Sequence, residues 1–183
     1  MNIENTSFLS RIEIEKIGFA SIGKNVHISR NASFYGVDKI HIGNNVRIDD
    51  FCILSGNIKV GSNIHISAYC ALYGSYGIEL CDYSGMSPRS IIFSASDDFS
   101  GDSLIGPLVA KEYQKIIGGK VTLSRFCQLG AASIVLPNCE LKEGAVTGAM
   151  TLVTKDLEPW TIYGGAPAKA LKKRKKNLLN FIK

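Results

Sequence analysis

Three histidines and one pair of adjacent carboxylates are the side chains best suited to acid–base chemistry in this sequence of 183 residues. An imidazole titrates near neutral pH and can act as a general base, whereas a carboxylate can hold an ammonium group or a hydroxyl. The histidines are His27, His41 and His65, and the carboxylates are Asp97 and Asp98 in "SASDDFSG". The histidines lie 14 and 24 residues apart, without a pair spaced like zinc ligands, so we expect no metal site.

The five cysteines do not form a redox or metal-binding motif. They are odd in number and contain no CxxC pair: Cys52, Cys70, Cys81, Cys127 and Cys139. We therefore expect neither a disulfide framework nor a cysteine-based zinc site.

The composition is that of one folded domain, with 45% apolar and 20% charged residues over positions 1–183. The net charge of +5 is concentrated in the run "KKRKK" at 172–176, which does not favour nucleic-acid binding. The N-terminus lacks the apolar core of a signal peptide, and no window approaches the ~20 apolar residues of a membrane span. We expect a cytoplasmic protein.

Apolar residues recur every six positions along most of the chain. The eighteen positions of this series are Ile22, Ile28, Phe34, Ile42, Ile48, Leu54, Val60, Ile66, Leu72, Leu80, Met86, Ile92, Leu123, Leu129, Val135, Leu141, Thr147 and Val153. Only Thr147 is not apolar. Four residues after most of them stands a smaller side chain, and four of the five cysteines belong to this second series.

A six-residue period fits neither an amphipathic helix nor a single half-buried strand. It fits short strands joined by sharp turns, with one large and one small inward residue per strand. Three strands would close a coil of roughly 18 residues, and stacked coils would bury a continuous core. The sequence therefore predicts an all-β solenoid, a parallel β-helix with coils over 20–96 and 121–164.

The two ends depart from this period. Residues 1–19 are expected to form a short helix capped by Thr6 or Ser7 and stopped at Gly18. Residues 165–183 are expected to form a second helix that starts at Pro167 and packs through Leu171, Leu178, Leu179 and Ile182.

Residues 97–120 interrupt the repeat with a long excursion. A loop of this length in a compact fold is usually functional, and this one carries apolar residues that could dock on another surface. These are Phe99, Leu104, Ile105, Leu108, Val109, Tyr113, Ile116 and Ile117.

The block "LGAASIVLPNCELKEGAVTGAMTLVTKDLEPWTIYGGAPAKALKKR" resembles the C-terminal end of the hexapeptide-repeat acyltransferases, and the likeness runs from about residue 17 to 174. "NVRIDDFCILSG" and "SASDDFSG" resemble the branch that modifies bacterial surface-polysaccharide sugars. The resemblance implies a left-handed β-helix and a homotrimer with active sites between subunits. It also implies that the excursion covers an active site as a lid and acceptor-binding element.

Much of the family places a catalytic histidine just before the excursion, where this chain has Ser94, Ala95, Ser96 and Asp97. We therefore expect His65 and Asp97 as the catalytic candidates. His65 lies one coil before Asp97 and at a different corner of the three-sided coil, so the two would meet across a subunit boundary. Asp98, Ser94 and Ser96 are candidates for acceptor binding. An acceptor amine that needs little help from a base would explain the missing histidine equally well.

The resemblance also indicates where acetyl-CoA would lie. Small residues on outward corners would let the pantetheine arm approach the backbone, and basic residues would hold the phosphates. The cofactor candidates are Gly130, Ala131, Gly148, Ala149, Lys155, Gly165, Ala166, Pro167, Lys172 and Arg174.

The function expected from these residues is direct transfer of an acetyl group from acetyl-CoA to a sugar of O-antigen or capsule. The inward cysteines argue against a covalent acyl-enzyme. One alternative is N-acetylation of a nucleotide-linked amino sugar. The other is a β-helix that has lost catalysis and serves as a scaffold or sugar-binding subunit.

Overall fold

The computed structural model describes residues 7–182, and these form a parallel β-helix of about seven turns. Each full coil contributes one short strand to each of three faces. Strands of successive coils pair in parallel, so every face is a ladder of backbone hydrogen bonds between coils.

The strands are grouped here by face. The first face holds β1 (Ser21–Ile22), β4 (Ile40–Ile42), the second half of β6 (Ile53–Val60), the second half of β8 (Ala71–Leu80), β13 (Val121–Leu123) and β16 (Glu140–Leu141). The second face holds β2 (Val26–Ile28), β5 (Val46–Ile48), β7 (Ile64–Ile66), β9 (Gly85–Met86), β14 (Gln128–Leu129), β17 (Val146–Thr147) and β19 (Thr161–Gly164). The third face holds β3 (Ser33–Tyr35), the first halves of β6 and β8, β10 (Ile91–Phe93), β15 (Ile134–Val135) and β18 (Leu152–Val153).

The six-residue series forms the core, as the sequence predicted. Of its eighteen members, Ile22 and Phe34 are half-buried and the other sixteen are buried, Thr147 among them. Their stacking produces one continuous apolar column through the middle of the coils.

The small inward residues also donate hydrogen bonds. Where the chain turns from the second face to the third, Cys52 Sγ donates to the carbonyl of Ser67 at 3.1 Å, and Cys70 Sγ to that of Ser87 at 3.2 Å. In the following coil Ser90 Oγ donates to the carbonyl of Gly130 at 2.9 Å. These inward positions are therefore occupied by side chains that are small and can donate a hydrogen bond to a backbone carbonyl that faces the interior.

We call the turn from the first face to the second the first corner. The turn from the second face to the third is the second corner, and the turn from the third face back to the first is the third corner. The second corner comprises residues 49–52, 67–70, 87–90, 130–133, 148–151 and 165–168. Corner residues adopt positive φ, and several are aromatic: Phe51 and Tyr69 stack at 4.9 Å, as do Tyr83 and Phe126 at 5.5 Å. Stacking between coils offsets the strain that positive φ imposes on a bulky side chain.

The N-terminal helix α1 spans Arg11–Ile17 and is shorter than expected. Its N-cap is Ser10, not Ser7, because Ser10 and Glu13 form a reciprocal capping box. Thr6, the other expected cap, lies outside the described residues. Gly18 ends the helix in the left-handed conformation, as predicted.

The predicted C-terminal helix is wrong. Residues Lys169–Lys173 form a strand, β20, that pairs antiparallel with β19, and only a short 3-10 helix at Asn177–Phe181 follows. The last coil leaves the edge of β19 open, and backbone pairing on that edge outweighs the local helical pattern.

The excursion leaves the third corner directly after β10. It begins with β11 (Ala95–Asp97) and returns through β12 (Ile116–Gly118), which pairs antiparallel with β11; a 3-10 helix at Lys111–Tyr113 lies between them. Its apolar side chains are largely exposed, with Leu108 at 99% and Phe99 at 75%. None of the helices between residues 7 and 182 is long and apolar enough to cross a membrane.

Candidate functional site

Seven of the small residues expected to bind the coenzyme stack on the second corner in three consecutive coils. They are Gly130, Ala131, Gly148, Ala149, Gly165, Ala166 and Pro167. The Met150 amide donates to the Ala131 carbonyl at 2.8 Å, which joins two of these coils. A Cβ on Gly130 would lie 2.4 Å from the carbonyl carbon of Gly148, so coil packing alone requires glycine there. The side chains on the outer edge of this corner are small, and Ala131, Ala149 and residues 165–167 are exposed.

The three basic candidates do not join this group. Lys155 is exposed on the third corner, and Lys172 lies in β20 opposite Ile162. Arg174 donates to the carbonyls of Phe126 at 2.6 Å and Gly144 at 3.0 Å. Burial lowers the pKa of this guanidinium, and its contacts make it an anchor for the C-terminal strand.

His65 points outward from β7, as expected, but its partner is Asp49 and not Asp97. The Nε2 of His65 lies 2.7 Å from Oδ2 of Asp49, and Nε of Arg47 lies 2.6 Å from Oδ1. Burial alone would raise the pKa of Asp49, but hydrogen bonds from Arg47 and His65 offset this, and its pKa is lowered. Asp49 therefore holds the imidazole in place at the edge of the second corner. Within one chain His65 and Asp97 lie in different sheets.

Asp97 and Asp98 are neighbours in sequence with opposite environments. Asp98 is 5% exposed; its carboxylate pairs with Lys115 Nζ at 2.7 Å and accepts from the Ser100 amide at 3.0 Å. The hydrogen bond from Lys115, with that of the Ser100 amide, lowers the pKa of Asp98 to about 2. Asp97 ends β11, is half-buried, and its carboxylate has no partner within residues 7–182.

The two serine candidates differ in the same way. Ser94 is fully buried, accepts from the Tyr76 amide and donates to the Tyr73 carbonyl, both at 2.9 Å. It secures the base of the excursion and has no exposed hydroxyl for an acceptor. Ser96 is half-buried and donates at 3.2 Å to the carbonyl of Asp97.

Ser87 is a residue that sequence reasoning missed. It is half-buried at the second corner, one coil before Gly130, and its Oγ accepts from Nε2 of Gln128 at 3.2 Å. A Cβ on Gly85 would lie 2.6 Å from Oε1 of Gln128, so the glycine makes room for this amide side chain. The signal was the six-residue period itself, which puts Ser87 in register with Gly130 and Gly148.

The cysteines are unsuited to nucleophilic chemistry. Burial raises the pKa of Cys70 and Cys127 to about 12 and that of Cys52 and Cys139 to about 11, so their thiols stay protonated. Across residues 7–182 no three side chains of His, Cys, Asp or Glu are grouped as metal ligands would be.

No family model matches the chain. It is 43% identical over 178 residues to a dTDP-4-amino-4,6-dideoxy-D-glucose acyltransferase of Escherichia coli, covering 96% of this chain and 93% of that protein. It also superimposes with a TM-score of 0.95 on AntD, an N-acyltransferase from Bacillus cereus, in complex with dTDP and 3-hydroxybutyryl-CoA. That pair is 48% identical over 96% of this chain and 94% of the other.

A second solved structure supports the fold alone. The hexapeptide-repeat acetyltransferase VCA0836 from Vibrio cholerae matches with a TM-score of 0.62 at 16% identity over 91% of this chain and 80% of that one. The coils thus form the left-handed β-helix that the sequence resemblance implied. With this fold, and with 43% identity along nearly its whole length to an acyltransferase, the chain belongs to the hexapeptide-repeat acyltransferases.

Proposed function

We propose that this enzyme transfers an acyl group from a coenzyme A thioester to the amine of a dTDP-linked amino-dideoxy sugar. The observation that carries the proposal is the likeness over nearly the whole chain to proteins named for that acceptor or solved with dTDP and coenzyme A. These relatives favour the nucleotide-linked amino sugar over the polysaccharide sugar of the first expectation. AntD was solved with 3-hydroxybutyryl-CoA, so acetyl is one of two acyl groups to test.

The donor is proposed to lie along the second corner of the last three coils. The exposed edges at Ala131, Ala149 and 165–167 leave the backbone open to an extended pantetheine arm. Lys155 and Lys172 remain candidates for the phosphates, since the Nζ of each has no partner within the described chain. Arg174 is not a candidate, because its guanidinium already donates to two backbone carbonyls and stabilises the fold.

The acceptor is proposed to bind at Asp97 and Ser87. AntD has been solved with substitutions of one serine and one aspartate that stand ten positions apart. In this chain a serine and an aspartate have that spacing at one place, Ser87 and Asp97. Asp98 and Ser96 would support Asp97 from the same hairpin.

The proposed chemistry is direct attack in a ternary complex. The neutral amine forms a bond with the thioester carbonyl carbon, the carbon–sulfur bond breaks, and one proton passes from nitrogen to the leaving thiolate. Asp97 would accept a hydrogen bond from the amine and orient its lone pair. Backbone amides of the second corner would stabilise the developing oxyanion. His65, held by Asp49, is the candidate to take up the proton in transit.

The proposed assembly is a homotrimer with its active sites between subunits. Within one chain, β10 of the third face lies between Ser87 and Asp97, which supports a site that takes Asp97 from a neighbour. The exposed apolar side chains of the excursion give the neighbouring contact a surface to bury.

The test is an acceptor panel with the purified enzyme. dTDP-4-amino-4,6-dideoxyglucose is compared with its 4-hydroxyl counterpart, using acetyl-CoA and 3-hydroxybutyryl-CoA, and thiol release and product mass are measured. Release of thiol with the amino sugar alone is expected. Acylation of only the hydroxyl sugar would contradict the proposal, and coenzyme A binding without any turnover would favour a scaffold.

A further inference from the structure

Thr147 is the polar member of the buried apolar series, and it lies directly behind the proposed donor site. It is 6% exposed, and its Oγ1 accepts from the amide of Gly130 at 2.9 Å. The same oxygen lies 3.0 Å from Oγ of Ser133, which is fully buried. Ser133 Oγ in turn donates to the carbonyl of Gly148 at 3.0 Å.

These contacts have one consistent direction. A hydroxyl carries a single proton, and that of Ser133 is committed to Gly148. In the direction that uses every one of these contacts, Thr147 donates to Ser133 and accepts from Gly130. The result is a buried chain of hydrogen bonds that joins Gly130 of one coil to Gly148 of the next.

The chain of hydrogen bonds fixes where two neighbouring amides point. In a trans peptide the C=O and the following N–H point in opposite directions. The Gly148 carbonyl is held inward by Ser133 and Thr151, and the Gly130 carbonyl by Ser90. The amides of Ala149 and Ala131 must then point outward.

These two amides have no acceptor among the described residues. Ala131 and Ala149 are exposed, and neither amide donates to another group among residues 7–182. They lie one coil apart, which is about 4.8 Å in a parallel ladder. Each follows a glycine, which restricts the orientation of the next peptide bond least. The hydrogen bonds from the buried hydroxyls therefore fix that orientation.

We propose that Ser133 and Thr147 are positioning residues that aim the amide of Ala149 at a carbonyl oxygen of the acyl-pantetheine chain, as Ser90 does for the amide of Ala131. Ser133 holds the Gly148 carbonyl, and Thr147 holds the Ser133 hydroxyl. The ligand class is an extended chain with carbonyl acceptors one coil apart. This inference rests on the proposed function and explains why the apolar series is broken at this coil.

The test compares Thr147→Val, Thr147→Ser and the wild type. Valine keeps the size and branching of threonine but removes the hydrogen bond to Ser133, which holds the Gly148 carbonyl, and leaves the Gly130 amide without its acceptor. We expect kcat/KM for the acyl-CoA to fall roughly tenfold, the size of one lost hydrogen bond, with KM for the dTDP-sugar unchanged. Serine restores the hydroxyl and should recover most of the activity.

Cys70→Ala is the matched control. Cys70 is as buried as Ser133 and makes the same kind of hydrogen bond, to Ser87, but the next residue is Pro88, which has no amide to aim. This variant should lose stability yet keep the wild-type KM for acyl-CoA. Wild-type kinetics for Thr147→Val would overturn the inference. A loss of kcat/KM for the acyl-CoA in Cys70→Ala as large as that in Thr147→Val would do the same.

Coenzyme A binding by the wild type is measured first, by calorimetry. Wild-type binding and turnover, with no change in Thr147→Val, would reject the positioning role and leave the proposed function intact. A wild type that does not bind would reject both.

Discussion

Two adjacent carboxylates show how the structure separates a structural side chain from a chemical one. Asp98 is committed to Lys115 and the Ser100 amide, whereas the Asp97 carboxylate has no partner in the described chain. A group that the fold leaves unpaired at the end of a strand is free to bind a ligand. This difference cannot be read from "SDD", because it depends on where the returning strand places Lys115.

Asp97→Asn should lower kcat about 100-fold or more, since a neutral amide accepts a weaker hydrogen bond from the amine than a carboxylate does and orients its lone pair less well. Coenzyme A binding should be unchanged, because Asp97 is proposed to contact the acceptor amine and not the coenzyme. Steady-state kinetics and calorimetry check both expectations. Asp102→Asn, an exposed carboxylate of the same excursion, is the control and should match the wild type. Equal losses in the two variants would remove Asp97 from the site.

Asp98 should make the stability of the excursion depend on acid pH. Its pKa is lowered to about 2, mainly by Lys115, from about 3.9 in the unfolded chain. The stabilisation is therefore fully present above about pH 4 and is lost as the pH falls towards 2. Thermal unfolding should show Asp98→Asn less stable than the wild type at pH 6, and the difference should disappear only as the pH falls through about 2. A difference independent of pH would show that the charge is not responsible.

At the scale of elements, a glycine contact sets the direction of the excursion. A Cβ on Gly118, the last residue of β12, would lie 2.5 Å from the ring of Tyr76. Gly118→Ala should tilt the hairpin and displace Asp97, so kcat should fall while the KM for acyl-CoA holds. Tyr76→Ala in the same chain removes the clash and should restore part of the activity. Failure of the double variant to recover would argue against a steric cause.

The C-terminal strand shows where sequence reasoning stops. Pro167 and the spacing of Leu171, Leu178 and Ile182 fit a helix, yet residues 169–173 pair with β19. The free energy that favours a strand over a helix here is non-local. The last coil has unpaired backbone groups along its edge, and no window of local sequence records that edge. The capping box at Ser10 and Glu13, by contrast, is a local Ser-x-x-Glu signature that the sequence does record.

Arg174 should be the residue that locks this strand in place. Its guanidinium binds two carbonyls of the first corner and lies over the Trp160 ring at 5.9 Å. Arg174→Lys keeps the charge but loses the planar group over the Trp160 ring and shortens the reach to the two carbonyls, and we expect about 1–3 kcal/mol of destabilisation. Hydrogen exchange should rise at the amides of 169–173 before it rises elsewhere. Lys175→Ala, an exposed neighbour, is the control; a rise of the same size there would exclude the lock.

At the scale of the whole molecule, the repeat was predictable and the site was only partly so. Period six placed sixteen of eighteen residues in the core, because each inward residue packs on its counterpart in the next coil. The same register collected Gly130, Gly148 and 165–167 on one corner. Pairings that depend on side-chain reach, such as His65 with Asp49, were not recoverable from the period.

The separation of Ser87 and Asp97 by β10 leads to a test of the shared site. Asp97→Asn removes the acceptor contact, and Ala149→Trp places a bulky ring on the exposed donor corner; each alone should be inactive. If each site combines Asp97 of one subunit with the donor corner of another, random mixing of the two variants leaves about one quarter of the sites with both halves intact. Co-expression should then restore about a quarter of wild-type activity in trimers verified by light scattering. If each site lies within one chain, every site carries one defect and the mixture stays inactive, which would overturn the shared site while leaving the donor corner untouched.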